Sequence, residues 1–259
     1  MNILKKLIIL SIGFISLSNV YAMNDDPLLI IIDVIHAYYK DCPKEITAPA
    51  VPGALKWVKE HIKSKPQAQK NISNVLFDIC RKQDPDLGLA KLILMLGITP
   101  NVIDQENKRP PATPLGLAAL YGNIKLAQLL LENNADIEIK FSLDSRTPLM
   151  QAALNGNIEM LTFLISQKAY VDATNNFGRT ALIWASSYGH LDAIKLLLNA
   201  GANVHWIDGF GKTALKEAQE SLLSEQKYKE RYHQIIHLLE DAGATDNSSK
   251  RCWCNRVIF

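Results

Sequence analysis

The sequence predicts an all-α solenoid, a row of short helical hairpins stacked side by side. Three observations carry that reading. Thr113, Thr147, Thr180 and Thr213 recur at intervals of 34, 33 and 33 residues, each opening an apolar run. Glycines divide each unit: in GRTALIWASSYGHLDAIKLLLNAGANV (178–204), Gly178, Gly189 and Gly201 fall 11 or 12 residues apart. Between those glycines the apolar positions keep helical spacing, and an apolar triplet recurs in register: Leu129–Leu131, Phe163–Ile165 and Leu196–Leu198.

Each part of the unit has a physical reason. The Thr is placed to accept a backbone N–H at a helix N-cap, and Pro114 or Pro148 fits the first turn, where its missing donor costs nothing. Ala118, Ala119, Ala152, Ala153, Ala185 and Ala218 are small enough for the first helix to approach its neighbours closely. Gly122, Gly156 and Gly189 permit a tight reversal into the second helix, which the triplets bury. Gly201 and Gly243 are suited to end that helix in a left-handed conformation. The alternating segments DIEI, YVDA and NVHW then run to the next unit as hairpin-like turns. One unit cannot bury its apolar face alone, so the copies must stack.

The period, the Thr-Pro-Leu opening, the Ala pair, the Gly-Asn or Gly-His turn and the triplet before a Gly-Ala-like turn resemble ankyrin repeats over about 130 residues. The His usual after Thr-Pro-Leu is absent from every copy, its place being taken by Gly116, Met150, Ile183 and Lys216. The resemblance implies an ankyrin-repeat solenoid and a protein-binding module that meets partners through its turn tips and its inner, first helices.

Two further copies look degraded. Leu89–Leu96 followed by Ile98–Asp104 matches a second helix and turn, with Ile72–Cys80 as its first helix and Asp84-Pro85-Asp86 in the intervening turn. At the other end, Ile235–Ala244 is a second helix and turn 42 residues after its predecessor, counted from Gly201 to Gly243. The excess of nine residues falls between Ala218 and Tyr232 and reads as an elongated first helix or loop of a capping repeat. Before the array, Leu28–Tyr39 and Leu55–Lys63 read as helices around a Pro/Gly loop, Thr47–Gly53, forming an N-terminal helical cap. The expected organisation is a signal peptide over 1–22, the cap over 23–69, about five repeats over 70–244, the first and last atypical, and a polar tail with Cys252-Trp253-Cys254 over 245–259.

Residues 1–22 carry Lys5 and Lys6, an apolar run from Leu7 to Leu17, and Val20-Tyr21-Ala22, the pattern of a cleaved secretory signal. The run is shorter than the ~20 residues a membrane span needs. Its two lysines have a bacterial look, and the expected location is periplasmic or secreted. Cleavage leaves 26 basic against 26 acidic side chains, a balance that advertises no nucleic-acid partner. No second apolar stretch is long enough to span a bilayer.

The chain has no HExxH, GxSxG, P-loop or dinucleotide-binding glycine pattern, so neither an enzyme nor a cofactor is expected. Export places Cys42, Cys80, Cys252 and Cys254 where disulfides persist, with three pairings open. Cys42 and Cys80 are one candidate pair, although Cys80 equally fits a small buried position like that of Ala119 or Ala153. His233 and His237 share a helix face and, with Cys252 and Cys254, form a weak candidate metal set; a half-exposed amphipathic helix is the ordinary alternative.

By register, the expected partner-binding residues are Arg109 and Tyr121 in the first clear copy, Arg146 and Asn155 in the second, Phe177, Arg179 and Tyr188 in the third, and Trp206, Phe210 and Lys212 in the fourth. Leu120, Leu143, Asp144, Leu154, Asn176, Ser187 and Glu220 accompany them. Tyr, Trp and Arg are the usual anchors of protein interfaces. Phe177 and Phe210 have a second reading, packing turn against turn, and Trp184 is expected in the core. The expected partner is another protein. The alternatives are a secreted effector acting in a host, an envelope scaffold, or a metal- or redox-handling protein using the Cys/His-containing C-terminus.

Overall fold

The structure, a computed structural model, describes residues 66–104, 111–224 and 226–245. The expected signal segment, nearly all of the expected N-terminal cap, Arg109, Cys42, Cys252 and Cys254 lie outside the described residues.

Among the described residues ten α-helices follow one another in pairs: α1 (Pro66–Cys80) and α2 (Leu87–Met95), α3 (Pro114–Tyr121) and α4 (Ile124–Glu132), α5 (Pro148–Asn155) and α6 (Ile158–Ser166), α7 (Ala181–Ser187) and α8 (Leu191–Asn199), α9 (Ala214–Ser224) and α10 (Lys229–Asp241). Among the described residues there is no β-strand, only two isolated bridges, Asp104 with Ala112 and Phe141 with Arg146, at the bases of the hairpin-like turns. First helices pack in one row, α1, α3, α5, α7 and α9, and second helices in another, α2 to α10. The fold is the all-α ankyrin-type solenoid that the sequence predicts.

The threonine caps form as expected. Thr113 accepts from the Gly116 N–H at 3.1 Å, Thr147 from Met150 at 3.4 Å, Thr180 from Ile183 at 3.4 Å and Thr213 from Lys216 at 3.2 Å. No His is needed to hold them. Where the usual His is replaced by Gly116, the space is already filled: a Cβ there would stand 2.5 Å from the Phe141 ring.

Ala118, Ala119, Ala152, Ala153, Ala185 and Ala218 of the first helices are fully buried. In the triplets the middle residue, Leu130, Leu164 or Leu197, is fully buried, while its neighbours are half-buried at the edge of the core. Leu126, Leu161 and Ile194 complete each second-helix stripe. Full burial of one such side chain contributes roughly 1.5–3 kcal/mol, so most of the stabilisation lies between rows, not within single helices.

Carbonyls left open at the ends of first helices are taken by the next repeat. Asn155 Nδ2 donates to Leu120 O at 2.9 Å, and His190 Nε2 pairs with Leu154 O at 2.9 Å. Tyr232 Oη and Ser221 Oγ both donate to Ser187 O, at 3.0 and 3.1 Å. These bonds make each repeat depend on the one after it. They also explain Gly156, whose φ is +65° and whose added Cβ would lie 2.4 Å from the His190 ring.

Second helices end in left-handed residues. Gly97, Gly201 and Gly243 serve at three of them, but Asn134 and Lys168 at the other two, with φ of 66° and 69°. A left-handed non-glycine residue costs about 1–2 kcal/mol, eased for Asn by its short polar side chain. Lys168→Gly is therefore expected to stabilise the protein by about 0.5–1 kcal/mol, glycine's greater freedom in the unfolded chain taking back part of the gain. Urea titration at equal m-value tests this, and an unchanged or lower midpoint would refute it.

The terminal repeats depart from the pattern. At the first, Asp86 is the N-cap of α2 and accepts from Leu89 N–H at 2.9 Å, so the second helix starts two residues before the expected Leu89. At the last, the extra residues lengthen both helices, α9 to 11 residues and α10 to 13, joined by a 3-10 turn over Gln226–Tyr228. The second helix therefore begins at Lys229 and not at Ile235. Its outer residues Lys229, Glu230, Arg231, His233, Gln234 and His237 are exposed, the polar surface a terminal unit needs.

Candidate functional site

Turn tips and the first helices build one surface. At two tips an Asx side chain shapes the loop. Asn175 Oδ1 accepts from the N–H groups of Phe177 and Arg179, and Asp208 Oδ1 accepts from those of Phe210 and Lys212, all at 2.9–3.0 Å. Successive tips are tied by backbone bonds: Ser142 N to Pro111 O, Asn176 N to Asp144 O, and Gly209 N to Phe177 O at 2.7 Å. A Cβ at residue 209 would come within 2.9 Å of that last carbonyl, so only glycine permits the approach. The outcome is that Phe177 and Phe210 stand together, ring centroids 5.7 Å apart, yet 46% and 62% exposed.

Behind the tips lies a charge ladder. Arg146 Nε donates to Asp144 at 2.8 Å and its Nη1 to Gln151 at 3.0 Å; Gln151 then bonds Asn155. Arg179 Nε donates to Asp208 Oδ2 at 3.1 Å, and its Nη2 pairs with Glu217. Lys212 Nζ is 3.4 Å from Glu217 and bonds Glu220 at 2.5 Å. Burial works against ionisation of Asp144, but hydrogen bonds from Ser142 and Arg146 and the Arg146 charge hold its carboxyl below the usual range. The bond to Glu220, outweighing burial, holds the Lys212 ammonium above the ordinary lysine value, with Glu217 assisting. Of the four cations expected at the surface, the three among the described residues, Arg146, Arg179 and Lys212, are thus already engaged within the chain.

Trp184 differs from its expected place. It packs against the core but is only half-buried. Both guanidinium groups lie over its ring, Arg146 at 5.6 Å and Arg179 at 5.1 Å from the centroid, and Tyr188 packs beside it at 6.1 Å. Register puts it on the inner helix facing the ladder, and an indole can fill that half-wet position where an aliphatic core residue would waste surface. Its neighbour Ser186, fully buried, takes the place held by Ala119 and Ala153, and its hydroxyl has no hydrogen-bond partner. Ser186→Ala is expected to raise stability by about 1 kcal/mol by removing an unsatisfied buried group. Thermal and urea unfolding test this, and a destabilised variant would show that the hydroxyl is satisfied after all.

The remaining expected residues are placed as follows. Tyr121 and Tyr188 sit at the far ends of α3 and α7, exposed, with Tyr188 stacked on His190. Asn155 is exposed but spends its amide on Leu120 O. Trp206 is half-buried and donates Nε1–H to Gly178 O at 2.9 Å, bracing the neighbouring turn. Leu143 is 80% exposed at its tip, between Ser142 and Ser145, both left-handed. Sequence reasoning missed Asp208, Glu217 and Gln151, whose partners lie up to 38 residues away. The one local signal was the Asp208-x-x-x-Lys212 spacing of the tip.

Cys80 is fully buried, and burial pushes its thiol up to about 12. His233 and His237 are both exposed on α10, and among the described residues no group of three His, Cys, Asp or Glu side chains is placed to hold a metal ion.

The family model described as ankyrin repeats (3 copies) matches residues 76–175 and again 150–247. The chain belongs to the ankyrin-repeat family. No curated protein matches it in sequence. The ankyrin matches reach both atypical ends, covering only the end of α1, residues 76–80, but all of α2 and all of α10. Ankyrin arrays are protein–protein interaction modules and generally not enzymes. Among the described residues, no helix is long and apolar enough to cross a membrane.

Proposed function

We propose that this ankyrin protein is exported and binds another protein through the surface formed by its turn tips and first helices. One observation carries the reading: Phe177, Tyr188 and Phe210 expose large rings on two adjoining repeats, around a charge ladder that is already internally paired. A paired ladder presents little free charge to a polyelectrolyte, and exposed aromatic clusters of this kind mark protein contact sites. The array is a rigid, non-enzymatic scaffold, and its rings do the recognising.

Export rests on the n-region, apolar run and Ala22 of the N-terminal segment. The mature protein is expected to begin at Met23, and intact mass of the chain recovered from the envelope or medium tests that directly.

For binding, tagged full-length chain is expressed in source cells beside a Phe177→Ala/Tyr188→Ala/Phe210→Ala variant. Trp206 is left intact because it holds a turn. A partner protein retained by the native chain and lost with the folded variant is the expected outcome. Retention of every bound protein by the variant would remove the proposed face.

A further inference from the structure

We infer that Asn155-Gly156 is a deamidation site that the folded array keeps closed, so that its reaction records the opening of one repeat from the next. This is independent of the binding role proposed above. Asn155-Gly156 is the single Asn-Gly pair in the chain. Glycine has no Cβ to shield its own nitrogen, so an Asn before it is the side-chain amide most open to attack by the following backbone nitrogen. In that reaction the Gly156 nitrogen gives its proton to hydroxide and bonds Cγ of Asn155. The Cγ–Nδ2 bond breaks, and Nδ2 leaves as ammonia with a proton from water. Water then opens the cyclic imide at either carbonyl, giving aspartate or isoaspartate. The sum is amide plus water to carboxylic acid plus ammonia, with no redox change and no other reactant.

Every group that must move is held in the docked repeat. The Gly156 N–H donates to Ala153 O at 3.2 Å. Oδ1 of Asn155 accepts from Gln151 Nε2 at 3.2 Å, and Nδ2 donates to Leu120 O of the preceding repeat at 2.9 Å. Gly156 stands in the left-handed conformation against the His190 ring of the following repeat. Asn155 is exposed, so hydroxide and water reach it, and geometry is the barrier. The reacting groups come free only when the last turn of α5 unwinds and releases Leu120 O. Helix ends open in this way more readily than buried middles. The product then opposes reclosure. A carboxylate in place of the amide has no proton for Leu120 O, so two acceptors face each other. Isoaspartate also adds a backbone carbon to a turn with no spare room between Gly156 and His190.

Protein purified from the full chain is held in mildly alkaline buffer over a series of urea concentrations. The peptide containing residue 155 is followed by mass for exchange of amide for acid. Above the unfolding midpoint the reaction is expected to run as in a free Asn-Gly peptide, and in buffer at least about tenfold slower. Leu164→Ala, which hollows the core of α6 where it packs on α5, should speed the reaction in buffer by about tenfold. Asn155→Gln, whose longer side chain closes no comparable ring, should show no exchange over the same period. Asn155→Asp, the product made directly, should lower the urea midpoint at unchanged m-value. Equal rates in buffer and in urea, or in Leu164→Ala and its parent, would show that the fold does not gate the site. No reaction in urea would show that the pair is not a site at all. A midpoint unmoved by Asn155→Asp would show that the product does not oppose reclosure. Each of these three outcomes overturns the inference.

Discussion

Arg179→Ala is expected to destabilise the array by about 3 kcal/mol, far more than a surface ion pair would. The guanidinium holds Asp208 and Glu217 together, and both carboxylates are buried. Removing it leaves two charges without their main cation in a poorly solvated place. Lys212 still reaches Glu217, at 3.4 Å, so Asp208 becomes the chief orphan. The same change uncovers Trp184 and Phe210, over which Arg179 lies. Denaturant unfolding gives the magnitude. Asp208→Asn on the Arg179→Ala background should recover roughly half of the loss, because it removes the stranded charge while keeping the acceptor for the Phe210 and Lys212 N–H groups. A loss under about 1 kcal/mol, the range of exposed pairs, would mean that the ladder is solvated.

Phe141→Ala should cost about 3 kcal/mol, because its buried ring occupies the space beside Gly116 where a side chain is missing. The reciprocal change is more informative. Alanine at 116 improves helix propensity by up to about 1 kcal/mol, yet Gly116→Ala is expected to destabilise by about 1–2 kcal/mol net, since the new methyl meets the ring at 2.5 Å. Combined, Gly116→Ala with Phe141→Leu should cost clearly less than the two single changes summed. Additive losses in that cycle would show that the two positions are not in contact.

The two effects separate what is local in this chain from what is not. Threonine caps, prolines in the first turn and left-handed glycines act within about five residues of themselves, so helix order and turn positions could be read from the linear sequence. The 33- and 34-residue period supplied the stacking, because a two-helix unit with one apolar face has no other way to bury it. The polar surplus in the last unit, with its nine extra residues, likewise announced an atypical end, though not that both helices would lengthen.

The proposed binding face was half legible. Its rings Phe177, Tyr188 and Phe210 stand where the repeat register places them, because register alone decides which residues reach a tip or the open side of a helix. What those side chains bond is a tertiary matter. Arg179 meets Asp208 across 29 residues and Glu217 across 38, distances over which a sequence offers many carboxylates and no means of choosing. Trp184 looked like core by its helical position and emerged half-exposed beneath two guanidinium groups, because a π face can satisfy cations that an aliphatic core would reject. By itself, then, the sequence determined the family, the order of helices and the residues presented at the surface, all consequences of short-range geometry repeated in register. Only the tertiary structure decided which charges pair with which, because those pairs are struck largely between neighbouring repeats.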